Sequence, residues 1–174
     1  MNLLFKLLLT LSATSWMIIV YVIKENLTIF SIPNWIFHII LIILVLSLSW
    51  FSLLLSPLFG DESIEGCNDY SLADNAFLPV YLGYFFVSLS IPNCYTMVGL
   101  YLIVFVFTFL SQTQYFNPAY LLLGYHYYYV STQNGTNFFL IKPGKVIRNK
   151  NEMELKGLRR INDTTFIERR QKND

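Results

Sequence analysis

Long apolar runs broken by short polar stretches fill the first 110 residues, after which the pattern changes. The first run covers 3–23, with Lys6 near its start and Lys24-Glu25 closing it. The second covers 35–55, twenty-one residues that include His38 and no Asp, Glu, Lys or Arg. At 1.5 Å per residue such a helix is about 31 Å long, close to the hydrocarbon thickness of a bilayer. Pro33-Asn34 before it and Pro57 after it suit helix boundaries. Two shorter runs, 77–91 and 95–110, meet at the turn pair Pro92-Asn93. Fifteen helical residues cover only about 23 Å, so this pair forms either thin spans or a re-entrant hairpin. Both return the chain to the side it left.

The first run also has the look of a signal peptide, since residues 12–15 (SATS) are small enough for a peptidase. A signal peptide turns polar after its cleavage site, whereas residues 16–23 (WMIIVYVI) stay apolar, which predicts a retained helix. Between the second and third runs, 56–75 reads as an acidic loop. It holds Asp61, Glu62, Glu65, Asp69 and Asp74 and no basic residue, and Gly60 and Gly66 break any helix there.

From residue 112 onward strand-favouring residues dominate. Residues 120–130 predict a strand, Asn134-Gly135 a two-residue type I′ turn, and 136–141 the returning strand. Pro143-Gly144 predicts a second turn and 145–148 a third short strand; 149–154 reads as a loop, with further strands at 158–161 and 164–167. The predicted fold class is a membrane protein, mainly α. A four-helix transmembrane bundle (1–111) precedes a small β-rich C-terminal module (112–174), a meander or partly open barrel. So small a module buries little core and gains from a partner or from self-association.

Composition supports the membrane assignment: 13% of the residues are charged and 55% hydrophobic, against about 25% charged in a typical soluble domain. The net charge of +1 conceals an asymmetry, because ten of the twelve Lys and Arg residues lie between 142 and 172. Basic residues accumulate on the cytoplasmic side. The tail is therefore expected inside, and four crossings place the amino-terminal end inside as well. Cys67 and Cys94 then fall on opposite sides of the bilayer and form neither a disulfide framework nor a ligand cluster.

Catalytic chemistry within a bilayer normally needs ionisable side chains there, and the central spans hold none. No enzymatic activity, metal or cofactor is expected. His38 reads as an interfacial, hydrogen-bonded side chain. His126, among aromatics with no second ligand at metal spacing, reads as a packed or surface histidine. Hydroxyls recur inside the spans. Thr10 and Thr14 are one turn apart, as are Ser52 and Ser56, with Ser47 and Ser49 nearby; Tyr81, Tyr84 and Ser88 share a face. Hydroxyls let membrane helices approach and bond, so Thr10, Thr14, Ser52, Tyr81, Tyr84 and Ser88 are helix-packing candidates. The competing reading is a hydroxyl-lined aqueous path.

From 112 to 174, ten basic residues face five acidic ones. Tyr125, Tyr127, Phe138 and Phe139 could stack bases, but no RNP, KH or zinc-finger pattern accompanies them. Protein contact ranks first for this tail, anionic lipid second and direct nucleic-acid binding last. The candidate partner-binding residues are Asp61, Glu62, Glu65, Lys145, Arg148, Arg159 and Arg160.

The order of parts, with the tail segments 124–129 (GYHYYY) and 158–167 (LRRINDTTFI), resembles the KwaA family. These are membrane subunits of the bacterial Kiwa anti-phage defence system. The resemblance implies a multi-pass protein of the bacterial inner membrane with both termini cytoplasmic. It implies a homo-oligomer, a tetramer among the candidate forms, that senses infection at the envelope. It also implies a soluble, DNA-binding effector, KwaB-like, as partner. No functional residue of the family transfers by position. The function expected is a membrane-anchored sensor and scaffold that holds this effector at the inner membrane. Its rivals are a small oligomeric channel or depolarising pore, and a nucleic-acid tether acting through the tail.

Overall fold

The computed structural model describes residues 3–29, 32–55, 61–62, 64, 66–76, 78–111, 117–150, 153, 155 and 157–168. The chain divides into two compact units, one helical (Leu3–Ser52 and Phe77–Asn117), the other formed by Leu53–Ala76 and Pro118–Asp174 with Met1–Asn2.

The helical unit contains α1 (Leu3–Lys24), α2 (Asn34–Leu55), α3 (Leu78–Ser90) and α4 (Cys94–Leu110). Asn93 caps α4, its side chain accepting from the Thr96 N–H at 2.9 Å, so the Pro92-Asn93 pair both ends one helix and starts the next. α1 packs against α3 and α4, with Met17, Tyr21, Ile91 and Met97 buried between them. Lys24 Nζ donates to the Ile91 carbonyl at 2.5 Å near the end of α3, a site where a cation offsets unsatisfied carbonyls. Near the other end of α1, Lys6 Nζ stands 4.7 Å from the centre of the Phe109 ring on α4.

The second unit is built on one six-stranded sheet. Its strands are β1 (Asp61–Glu62), β2 (Cys67–Leu72), β3 (Tyr125–Thr132), β4 (Asn137–Pro143), β5 (Leu158–Arg160) and β6 (Thr165–Glu168), in the order β1-β5-β6-β4-β3-β2. A short helix, α5 (Pro118–Leu122), leads into β3. Pairing is antiparallel except between β4 and β6, where Phe139–Ile141 run parallel to Thr165–Ile167. Phe138, Phe139, Leu140 and Ile141 of β4 are all buried, the continuous apolar run of a strand covered on both faces. Tyr128, Val130, Phe138, Leu140, Leu158 and Phe166 pack with Met153 and Leu155; Tyr127 stacks on Phe139 at 5.5 Å.

This architecture corrects the expected fold class. Among the described residues, only α1 and α2 are long and apolar enough to cross a membrane; α3 and α4 have 13 and 17 residues. The chain is mixed α/β, with five helices among the described residues and a sheet that recruits strands from both sides of the α3–α4 pair, so the four-helix transmembrane bundle with an appended module does not describe it. The segment read as an acidic loop supplies β1 and β2. Pairing 56 to 65 residues away for β2 and 96 to 98 for β1 leaves no local trace, and β2, a bulged and largely polar edge strand, shows no alternation. A meander is excluded by the parallel β4–β6 pair.

Two local differences have clear causes. The Asn134-Gly135 turn is a three-residue loop of 133–135, with Gly135 at φ 76° and Thr132 N–H bonded to the Thr136 carbonyl at 2.9 Å. A type I′ turn needs positive φ at both central residues, and Asn134 does not have it. Residues 145–148 form no strand. Their backbone is satisfied by tyrosines instead: the Ile147 N–H donates to the Tyr128 hydroxyl at 3.0 Å, and the Tyr70 hydroxyl donates to the Ile147 carbonyl at 3.4 Å. Burial pushes the Tyr128 phenol above its ordinary pKa, against the opposing pull of the Ile147 N–H that it accepts.

Candidate functional site

The helical unit has a polar interior. Lys6, Thr10, Ser12, Thr14, Ser49, Ser52, Ser88 and Asn117 are all buried. At its centre the Ser12 and Ser49 hydroxyls lie 2.6 Å apart, joining α1 to α2. Asn117 Nδ2 donates to both, at 2.9 Å for Ser49, and Asn117 Oδ1 accepts from Trp16 Nε1 at 3.4 Å. The six candidates from the hydroxyl pattern divide by role. Thr14 reaches the Tyr101 hydroxyl (3.3 Å), Tyr81 the Ala13 carbonyl (3.1 Å) and Ser88 the Met17 carbonyl (2.9 Å), all between helices. Thr10 and Ser52 donate to their own helices, at Lys6 O and Ser49 O. Tyr84 packs edge-on to Tyr81 at 5.5 Å. Ser56 lies outside the described residues. His38 differs from expectation: its buried Nε2 meets no hydrogen-bond partner among them.

The exterior of the same unit is apolar. Ile39, Ile40, Ile43, Leu44, Phe51 and Leu54 of α2 are exposed, as are Phe85 and Phe86 of α3 and Leu102, Ile103, Val106 and Phe107 of α4. Only 17% of the most apolar stretch of α2 is buried, against 50% for α1. An interior that mixes hydroxyls with buried Leu9, Met17 and Val45, under an exterior of large hydrophobes, departs from a water-soluble bundle chiefly in that exterior.

The sheet unit offers a groove. His126, Gly144, Lys145, Val146, Arg148 and Asn149 line a cavity of about 660 Å³. His126 Nδ1 lies 2.6 Å from Asp74 Oδ2, and Asp74 Oδ1 accepts from the Tyr127 N–H at 2.8 Å. The carboxylate, in the turn that follows β2, therefore holds the His126 imidazole in one orientation. Among the described residues no group of three or more His, Cys, Asp or Glu side chains could hold a metal.

A family model for the anti-phage protein KwaA matches residues 5–167. The chain belongs to the KwaA family. No curated protein and no solved structure matches it.

For this KwaA-family chain the charged candidates separate. Lys145 and Arg148 share the groove. Asp61 and Arg159 occupy one rung of the β1–β5 ladder, and Glu62 faces Leu158 on the next. Arg160 pairs with Asp163 at 2.8 Å, and Glu65 lies outside the described residues. Recruitment of β1 and β2 also changes the charge balance. Five acidic residues from 61 to 74 and five from 152 to 174 match the ten basic residues of the tail, so the sheet unit carries no net charge. A basic footprint for nucleic acid is correspondingly weaker. Sequence reasoning missed the bridging role of Asn117 and the Asp74–His126 pair; partners 52 residues apart give no spacing signal.

Proposed function

We propose that this protein serves anti-phage defence as a non-enzymatic subunit inserted in the bacterial inner membrane, whose sheet unit holds a soluble effector in the cytoplasm. The observation that carries the membrane part is the exterior of the helical unit. An apolar exterior of this extent is stable in lipid, and its buried hydroxyls bond helix to helix or to backbone as lipid-embedded helices require. Those bonds favour packing over a water-filled path, so the pore reading is set aside.

α1 and α2 cross the bilayer in this reading, and the α3–α4 pair enters and returns. Strand β2 before α3 and β3 after α4 are hydrogen-bonded neighbours, so both ends of that insertion lie on one side. The ten basic residues support a cytoplasmic location for that side, since acidic residues weigh little in orientation. The effector-holding role and self-association are part of this proposal, supported by the exposed charges of the sheet unit at Lys145, Arg148 and Arg160 and by exposed Tyr129.

Orientation is testable with an impermeant maleimide on cells. Cys67 is a poor reporter because burial pushes its thiol pKa up, lowering the reactive thiolate. In a background with Cys67→Ser and Cys94→Ser, Leu27→Cys is expected to label on intact cells, and Lys150→Cys only after the inner membrane is opened. Labelling of Lys150→Cys on intact cells overturns the orientation.

A further inference from the structure

We infer that the groove lined by His126, Lys145 and Arg148 is a binding site for the phosphate group of a small phosphomonoester. Nothing in the membrane or effector reading requires such a site, and the protein alone suffices to test it.

Charge is the first ground. Lys142 is paired with Glu168 and Arg160 with Asp163, whereas Lys145 and Arg148 are exposed and make no ion pair with any described residue. No acidic side chain is among those lining the cavity. Two cations three residues apart beside a histidine make a locally basic lining in a unit that is neutral as a whole, with the Asp74 carboxylate taken up by Nδ1 of that histidine. Arg supplies the planar, multi-donor contact and Lys a point charge, the usual complement for phosphate oxygens.

Geometry is the second. Asp74 occupies Nδ1 of His126 at 2.6 Å and is itself tied to the Tyr127 N–H. That leaves Nε2 as the nitrogen free to meet a ligand, in a ring that needs no reorientation on binding. The same arrangement of a carboxylate behind an imidazole fixes tautomer and direction elsewhere in proteins. Gly144, at φ 116°, presents no side chain to the cavity wall, and a Cβ there would point into open space.

Size is the third. About 660 Å³ exceeds one phosphate and falls in the range of about 300–1,000 Å³ typical of small-molecule sites. Val146 and the side chain of Asn149 are there to meet an organic body. A phosphomonoester could come from a free metabolite or from the headgroup of phosphatidic acid, and the two are separable.

The test is calorimetry on the purified protein in phosphatidylcholine nanodiscs, titrated with adenosine monophosphate, beside phosphatidic acid incorporated into the discs and followed by ³¹P line broadening. Saturable binding of the soluble nucleotide supports a free ligand. Broadening of phosphatidic acid without nucleotide binding supports a lipid headgroup. In either arm Lys145→Ala and Arg148→Ala should each weaken binding about tenfold, while Lys145→Arg, which keeps the charge and adds donors, stays near the parent. His126→Gln should weaken it too, and the ¹⁵N resonance of His126 Nε2 should move on ligand addition in the parent. Both cations are exposed, so their loss leaves the fold intact. Absence of binding in both arms, or binding that the two alanine variants leave unchanged, overturns the inference.

Discussion

Aspartate at Ile43 and Leu44 together is expected to remove the protein from the membrane fraction. Both side chains lie mid-way along α2 and are 56% and 57% exposed. In water, a surface Ile or Leu exchanged for Asp changes stability by about 0.5 kcal/mol or less and raises solubility. In a bilayer each Asp at a helix centre costs about 2.5–3.5 kcal/mol of insertion free energy. The two environments therefore give opposite signs. Flotation after an alkaline wash reads the outcome directly, with Ser47→Ala as a control on the same helix. A doubly substituted protein that still floats with the membrane, in parent yield, contradicts lipid exposure of this face.

Leu140→Ala is expected to unfold the sheet unit while leaving the protein in the membrane. Leu140 is fully buried at the centre of β4, opposite Tyr128 on β3 and Phe166 on β6. Truncation of such a side chain costs about 2–5 kcal/mol, a large share of the roughly 5–15 kcal/mol that holds most domains together. The melting temperature of the sheet, followed by tyrosine near-UV dichroism in nanodiscs, should fall by about 10 °C or more. In the proposed arrangement insertion depends on α1 and α2, whose apolar surfaces this change does not touch. An unchanged melting temperature would show that β4 is not the core of its unit.

The helical half was legible because apolar runs of 13 to 22 residues need no distant partner to declare themselves. Their number of crossings was not, since run length and burial decide it and only α1 and α2 have the length. In the other half, β5 and β6 fall on segments that looked like strands, 158–161 and 164–167. What stayed hidden was pairing. β2 joins β3 across the whole α3–α4 insertion, and β6 runs parallel to β4 with β5 on its far side. Neither arrangement has a turn residue to mark it. The same gap concealed the site. Read in blocks, residues 56–75 were acidic and the tail basic; folded together they cancel, and Asp74 becomes the support of His126 rather than one more solvated charge. Asn117 likewise carries no local signal, because its bonds reach Ser49 and Ser12, 68 and 105 residues earlier.

The effector-holding role rests on the exposed charge of the sheet unit, and Arg159, half-buried on the β5 rung opposite Asp61, is the weakest of the basic candidates for it. Lys145, Arg148 and Arg160 are exposed. Single rim charges contribute about 0–1 kcal/mol, so they must be reversed together. The most direct measurement is therefore purification from membranes in mild detergent, with mass spectrometry of what is retained, for the parent and for Lys145→Glu with Arg148→Glu and Arg160→Glu. A soluble protein that stays with the parent, leaves as salt rises and the Debye length falls from about 8 Å to about 3 Å, and is absent from the reversed variant is the result expected. A parent protein that protects cells from phage yet retains no soluble partner, or a reversed variant that retains it undiminished, contradicts an effector held on this face.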